Sequence, residues 1–295
     1  MFRIVLVALA VLALATPAAA DFQRHRVRVD GDSRTYFLFV PEAPSPSAGR
    51  PLVYVLHGGG GTARGMARSV DDELHALAET EGALIVYPQA IDRSWDFGEG
   101  VVSERMDQRR DDLKFLTGLA SVIERRHKIN RQRIYATGIS RGGQASYFLA
   151  CKSPGFLAAI APLTMPLPEF LEDDCRAAPR IPILVMNGTA DPLVPYNGGP
   201  ITVGRKDRGD VLSTAETMRL FRRKNGCGSR STNRTIGGVD VIAWQNCRER
   251  TILYRVNGGG HTWPGGQQYL PVRVVGTVNR DISATAEIWK FFFPR

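Results

Sequence analysis

From residue 24 to residue 40 hydrophobic and polar positions alternate, reading RHRVRVDGD and then RTYFLFV around Asp30-Gly31-Asp32. A period of two marks half-buried strands, and an Asp-Gly turn between them predicts an antiparallel hairpin. The pattern then changes to short, continuous apolar runs bounded by turn residues, at 52–56, 83–87, 133–137, 157–162, 183–186 and 251–256. Runs of this kind predict strands covered on both faces. Helical spacing falls between most of them, at 70–80, 108–127, 144–151, 211–224 and 282–292; in the second, Leu113, Leu116, Leu119 and Ile123 lie on one face. The alternation predicts an α/β fold, a mainly parallel central sheet with an antiparallel N-terminal edge and helices on both faces. In such a sheet reactive groups belong on loops at the carboxyl ends of strands.

The first twenty residues stand apart from this pattern. Arg3, an apolar run over 4–15 and the ending Ala18-Ala19-Ala20 read as a secretory signal peptide, so residues 1–20 are assigned as a leader and 21–295 as one catalytic domain. The product is expected in the periplasm or outside the cell. No later apolar run approaches a membrane-spanning length, so no membrane insertion is expected after cleavage. The Pro- and Ser-rich PEAPSPSAGR lies between two strand-like runs and reads as a surface loop. The stretch 192–210, with its glycines and charges, is a candidate rim or lid.

Export also bears on the four cysteines, because an oxidising compartment favours disulfides. Of three pairings, Cys151 with Cys175 and Cys227 with Cys247 are favoured, since each closes a short excursion between core elements. No C-x-x-C or H-E-x-x-H spacing suggests a metal site, and none is expected. The formal net charge is +9, but the arginines are scattered, with doublets at 109–110, 125–126 and 222–223 in helix-like stretches. No aromatic-interleaved basic strip is present, so a solvated basic surface is expected and no nucleic-acid partner.

Two glycine-rich motifs carry the chemistry. VLHGGGGTARG follows the strand at 52–56, and RIYATGISRGGQASYFLA carries a strand into Gly138-Ile139-Ser140-Arg141-Gly142 and a helix out of it. The first satisfies a loose dinucleotide fingerprint, yet no helix is predicted at once after it and no acid ends the next strand, IVYPQAID. An exported protein also has little access to NAD, so no cofactor is expected. The second is a nucleophile elbow in its required strand–turn–helix setting. A serine hydroxyl needs a base, and the base an acid, in the chain order Ser, Asp, His. Asp191 in ILVMNGTADPLVPY and His261 in LYRVNGGGHTWPGG fall beyond the ends of later strands in that order. The alternative use of Asp191 is to cap a turn before Pro192. The amide of Arg141 and one from HGGGG would then bind the oxyanion, with Gly59 the first choice and Gly58 or Gly60 the alternatives. His57 is read as a brace for that loop.

LHGGGG, GISRGG, NGTAD and GGGHTWPGG, in this order and with a signal peptide and cysteines, resemble the exported α/β-hydrolases grouped as feruloyl esterases and poly(3-hydroxybutyrate) depolymerase-like proteins, related to carbohydrate esterase family 1. The resemblance spans nearly the whole mature chain. It implies an α/β-hydrolase fold, Ser140, Asp191 and His261 as nucleophile, acid and base, and ester hydrolysis without metal or organic cofactor.

The expected activity is therefore that of a serine esterase acting on feruloyl, acetyl or similar aromatic or short acyl esters, small or attached to polysaccharide. The first alternative substrate is a hydroxybutyrate or other polyester oligomer; further alternatives are a serine peptidase and a non-catalytic exported binding module. Trp95 and Trp263 are candidate walls of the substrate pocket, with loop anchoring as their other reading. Asp111-Asp112 is read as favouring the positive end of a helix.

Overall fold

The computed structural model describes residues 21–29, 31–97, 111–203 and 206–294. The expected leader at 1–20, the turn residue Asp30, and residues 108–110, where the second helix and one arginine doublet were placed, lie outside them.

β1 (Asp21–Val29) and β2 (Asp32–Val40) form the expected hairpin, with Asp21 opposite Val40 and Val29 opposite Asp32. β3 (Arg50–Leu56) is buried along its whole length, because side chains on both faces are covered. Leu52, Tyr54 and Leu56 enter one core, and Val53 and Val55 enter the other. α1 (Ala63–Glu81), β4 (Leu84–Gln89), α2 (Asp112–Glu124), β5 (Ile129–Ile139), α3 (Arg141–Lys152) and β6 (Ala159–Leu163) follow. After them come α4 (Glu172–Ala177), β7 (Ile183–Gly188), β8 (Gly199–Val203), β9 (Lys206–Val211) and α5 (Thr214–Lys224). The chain closes with β10 (Ser231–Ile236), β11 (Val239–Trp244), β12 (Thr251–Val256), α6 (Val272–Val275) and α7 (Ala284–Phe292).

One ten-stranded sheet runs in the order β1-β2-β4-β3-β5-β6-β7-β12-β11-β10. Its six central strands, β4-β3-β5-β6-β7-β12, pair in parallel. Phe115 and Leu119 of α2, Tyr147 of α3 and Phe221 of α5 fill the core on one face; Met66 and Val70 of α1 and Ile288 and Trp289 of α7 fill the other. The mainly parallel sheet and its two covered faces are as the pattern predicts.

The fold differs from expectation at three places, each for a visible reason. The second edge of the sheet, β11 and β10, is also antiparallel. β10, STNRTI, is exposed at five of its six positions and therefore has no apolar run. α1 begins at Ala63, directly after the glycines, because Thr62 accepts a hydrogen bond from the Gly65 amide and caps the helix. The helix expected from 211 starts at Thr214 under a Ser213–Glu216 capping box, while Val211 ends β9.

β8 and β9 pair as a hairpin within the candidate rim. Val194, Ile201 and Val211 anchor the stretch by joining the core, and Val211 also bridges Pro168. Disulfides join Cys151 to Cys175, tying α3 to α4, and Cys227 to Cys247, tying the end of α5 to the loop after β11.

Candidate active site

The carboxyl ends of β5, β7 and β12 carry Ser140, Asp191 and His261. Ser140 occupies the turn between β5 and α3 with φ 58° and ψ −123°, a conformation that costs a non-glycine residue energy. The surroundings hold it there. Its amide donates to Leu163 O at 2.9 Å and Thr164 Oγ1 at 3.1 Å, both from the end of β6. Gly142 is required because a Cβ at that position would stand 2.0 Å from the Leu56 carbonyl oxygen of β3. The elbow is thus pressed against the neighbouring strand by backbone contact.

Beyond β7, Asp191 Oδ1 accepts from the amides of Leu193 and Val194 at 2.8 and 2.9 Å, while Oδ2 accepts from His261 Nδ1 at 2.7 Å. Asp191 therefore both caps its turn and orients a histidine. The His261 and Asp191 side chains are almost fully buried, at 4% and 2% exposure, which strengthens the bond between them. Because the carboxylate oxygen can only accept, Nδ1 carries the proton and Nε2 is left as an acceptor. Neither His261 Nε2 nor Ser140 Oγ forms a hydrogen bond among the described residues.

The two loops meet through bare backbone. A Cβ on Gly188 would stand 2.2 Å from the Gly259 carbonyl oxygen, and the Ala190 amide donates to that same oxygen at 3.0 Å. Tyr269 Oη donates to the carbonyl of His261 at 3.0 Å and fixes the loop from its far side.

The glycine loop after β3 is braced by the segment after β4. His57 Nδ1 donates to Gly58 O at 2.8 Å, and Nε2 accepts from the Ala90 amide at 3.1 Å, so both ring nitrogens are used within the scaffold. The Gly60 amide donates to Arg93 O at 2.9 Å and the Gly61 amide to Gly58 O at 3.0 Å. This removes Gly60 from the candidate oxyanion donors. The amides of Gly58 and Gly59 have no acceptor among the described residues, and the Arg141 amide, first in α3, has no intrahelical partner.

Trp95 corrects another expectation. It is completely buried, its indole N–H donates to His57 O at 2.8 Å, and its ring lies 4.9 Å from the His57 ring. It has no surface to offer a substrate and instead anchors the glycine loop after β3. Trp263 is 6% exposed, bonds Thr285 Oγ1 and packs in the core beside α7. Its exposed edge lines a polar cleft with Arg68, Glu73 and Arg280, a lining that does not include Ser140 or Gly59.

A clamp invisible in the sequence supports the Trp95 segment. Arg34 of β2 and Asp112 of α2 form a buried ion pair, with the Arg34 guanidinium 3.8 Å from the Phe115 ring centroid. The other Asp112 oxygen accepts the Asp96 amide at 2.6 Å. Asp112, the first residue of α2, is therefore a buried partner of Arg34 as well as an acid at the positive end of the helix. Asp111, one residue earlier, caps the helix through the Lys114 amide.

Burial pushes the His57 ring down to about 4, against the pull of its bond to Gly58 O, so the ring is neutral in the fold. Unfolded histidine protonates near pH 6.5, so this contribution to stability is full above that pH. It is lost as pH falls towards 4, by ~3 kcal/mol in all. We expect urea midpoints to drop between pH 7 and 4.5, and His57→Gln to show a smaller drop over the same interval. Equal slopes in the two proteins would show that His57 does not set the acid sensitivity.

The doubly covered parallel sheet, with a strained serine on one strand end and a His–Asp pair on two others, defines an α/β-hydrolase. No family model matches the chain. It is 31% identical over 282 residues to "Putative esterase NocK" of Nocardia uniformis subsp. tsuyamanensis, spanning 90% of this chain and 81% of that protein. Over 161 residues it is 30% identical to feruloyl esterase B of Piromyces equi, spanning 53% of this chain and 30% of that one. Among solved structures, an acetyl xylan esterase from Aspergillus awamori shares the fold with a TM-score of 0.58 at 15% identity, covering 81% of this chain and 94% of that one. The chain belongs to this esterase family, and its class is that of a carboxylic ester hydrolase.

Proposed function

We propose that the protein is an exported serine esterase that uses Ser140, His261 and Asp191 on aromatic or short acyl esters, feruloyl and acetyl esters first among them. The observation that carries this reading is the His261–Asp191 bond of 2.7 Å, made at the same carboxyl edge of the parallel sheet as a serine held at φ 58°. Ser140 Oγ attacks the ester carbonyl while His261 Nε2 takes its proton, and Asp191 stabilises the resulting imidazolium. The negative oxygen of the tetrahedral intermediate accepts from the Arg141 amide and from Gly59 or Gly58. Collapse expels the alcohol, which leaves with the proton from His261. Water then attacks the acyl-enzyme by the same route and releases the acid.

The feruloyl and acetyl preference is supported by the relatives' own names, feruloyl esterase B of Piromyces equi and the acetyl xylan esterase of Aspergillus awamori. Removal of residues 1–20 and export of one domain, 21–295, are part of the same proposal. Two disulfides support it, and among the described residues no helix is long and apolar enough to cross a membrane.

The purified protein should hydrolyse methyl ferulate, or p-nitrophenyl acetate and butyrate, well above a peptide anilide. Preference for a hydroxybutyrate oligomer would move the substrate to that class. Folded protein silent on every ester would reject the esterase reading.

A further inference from the structure

The residue after the nucleophile has a side chain that the proposed chemistry does not use. Only the backbone amide of Arg141 is asked to bind the oxyanion. Its guanidinium carries five N–H donors, yet among the described residues it forms one hydrogen bond, from Nη2 to the Trp95 carbonyl at 2.5 Å. Nε is shielded from solvent and has no acceptor among the described residues. Buried donors are nearly always satisfied, so an orphan of this kind on a cation calls for an explanation.

Its position supplies one. A Cβ on Gly59 would stand 2.9 Å from Arg141 Cδ, so the side chain runs along the oxyanion loop. The guanidinium then lies 5.1 Å from the centroid of the Phe97 ring, which is 6.2 Å from the partly exposed ring of Phe170. A second cation, Arg208, lies on β9, the strand whose Val211 bridges Pro168 just before Phe170, and after burial its charge is the next cause that lowers the Arg141 guanidinium, to about 10, against the pull of Asp112 and Asp96. It stays charged at neutral pH. Neither arginine is in an ion pair among the described residues, and the repulsion between them favours a further anion beside both.

We propose that Arg141 and Arg208 recognise a free carboxylate carried by the ester substrate, so that anionic esters are preferred over their neutral isosteres. A guanidinium fork matches a carboxylate in plane and charge, and the Phe97 and Phe170 rings offer an apolar floor for the chain between that carboxylate and the ester. This inference rests on the esterase reading and adds a substrate class to it.

Two matched pairs test it: mono(4-nitrophenyl) glutarate against the 4-nitrophenyl ester of glutaramic acid, and 4-acetoxybenzoate against 4-acetoxybenzamide. The first pair places the charge on the acyl half and the second on the alcohol half. In at least one pair kcat/KM should favour the anion on the order of tenfold, mainly through KM, and added salt should erode the difference. Arg208→Gln and Arg141→Met should each bring the ratio towards one. The ratio is the readout because a merely structural loss lowers both members together. Wild-type parity with both members hydrolysed overturns the inference and leaves the esterase reading standing. A preference that survives in both variants also overturns it. Hydrolysis of none of the four esters removes both.

Discussion

Ser140→Ala should lower kcat/KM for methyl ferulate or p-nitrophenyl butyrate on the order of 10⁴-fold or more, with the folded state nearly unchanged. The two halves of that expectation have separate causes. The hydroxyl is the group proposed to form the acyl-enzyme, so its loss should leave just the background given by the proposed oxyanion donors and substrate binding. It makes no hydrogen bond among the described residues, however, and the amide bonds to Leu163 and Thr164 belong to the backbone. Alanine keeps the Cβ that already sits at φ 58°, so stability should move by no more than about 0.5 kcal/mol. Steady-state kinetics and a thermal melt on one preparation check both halves. A variant hydrolysing at near wild-type rate would remove Ser140 from the mechanism.

Asp191→Asn should cost about 10³- to 10⁴-fold in kcat for the same esters. The carboxylate serves three donors, with Oδ1 taking the Leu193 and Val194 amides and Oδ2 taking His261 Nδ1–H. Asparagine has a single oxygen. If it keeps the two amides, the NH₂ group faces Nδ1, forces that nitrogen to accept and moves the ring proton to Nε2. His261 can then no longer take the serine proton. If the amide group flips instead, the turn loses both bonds. Either arrangement should also lower stability, by about 1–2 kcal/mol. Rate and melting temperature measured together check this, and an unimpaired variant would mean that another group orients His261.

The parts of the molecule readable from sequence are those where one residue type answers to one local demand. Val53 and Val55 face one core and Leu52, Tyr54 and Leu56 the other, so β3 had to be apolar throughout. The nucleophile elbow is likewise local: Gly142 is needed because β3 passes within contact distance, and that need is written as a glycine. β10 shows the opposite case, since a solvent-facing edge strand can be made of Ser, Thr, Asn and Arg without an apolar signal.

The scaffold around the site was harder to read because its contacts join distant segments. Arg34 and Asp112 are 78 positions apart, and neither has a neighbour in sequence that marks it as buried. Trp95 was read as either pocket wall or anchor, and only its bond to the His57 carbonyl separates the two. The same holds for the glycine loop after β3. Four consecutive glycines look equivalent until the Gly60 amide is seen to be taken by Arg93 O.

The central claim, that ester hydrolysis passes through a covalent intermediate on Ser140, is tested most directly by treating the active protein with a serine-directed fluorophosphonate and mapping the adduct by peptide mass. The predicted result is one phosphonyl group on the peptide containing Ser140, appearing in step with loss of esterase activity and absent from Ser140→Ala. Full loss of activity with the Ser140 peptide unmodified and the label on another residue would contradict the claim and place the nucleophile elsewhere.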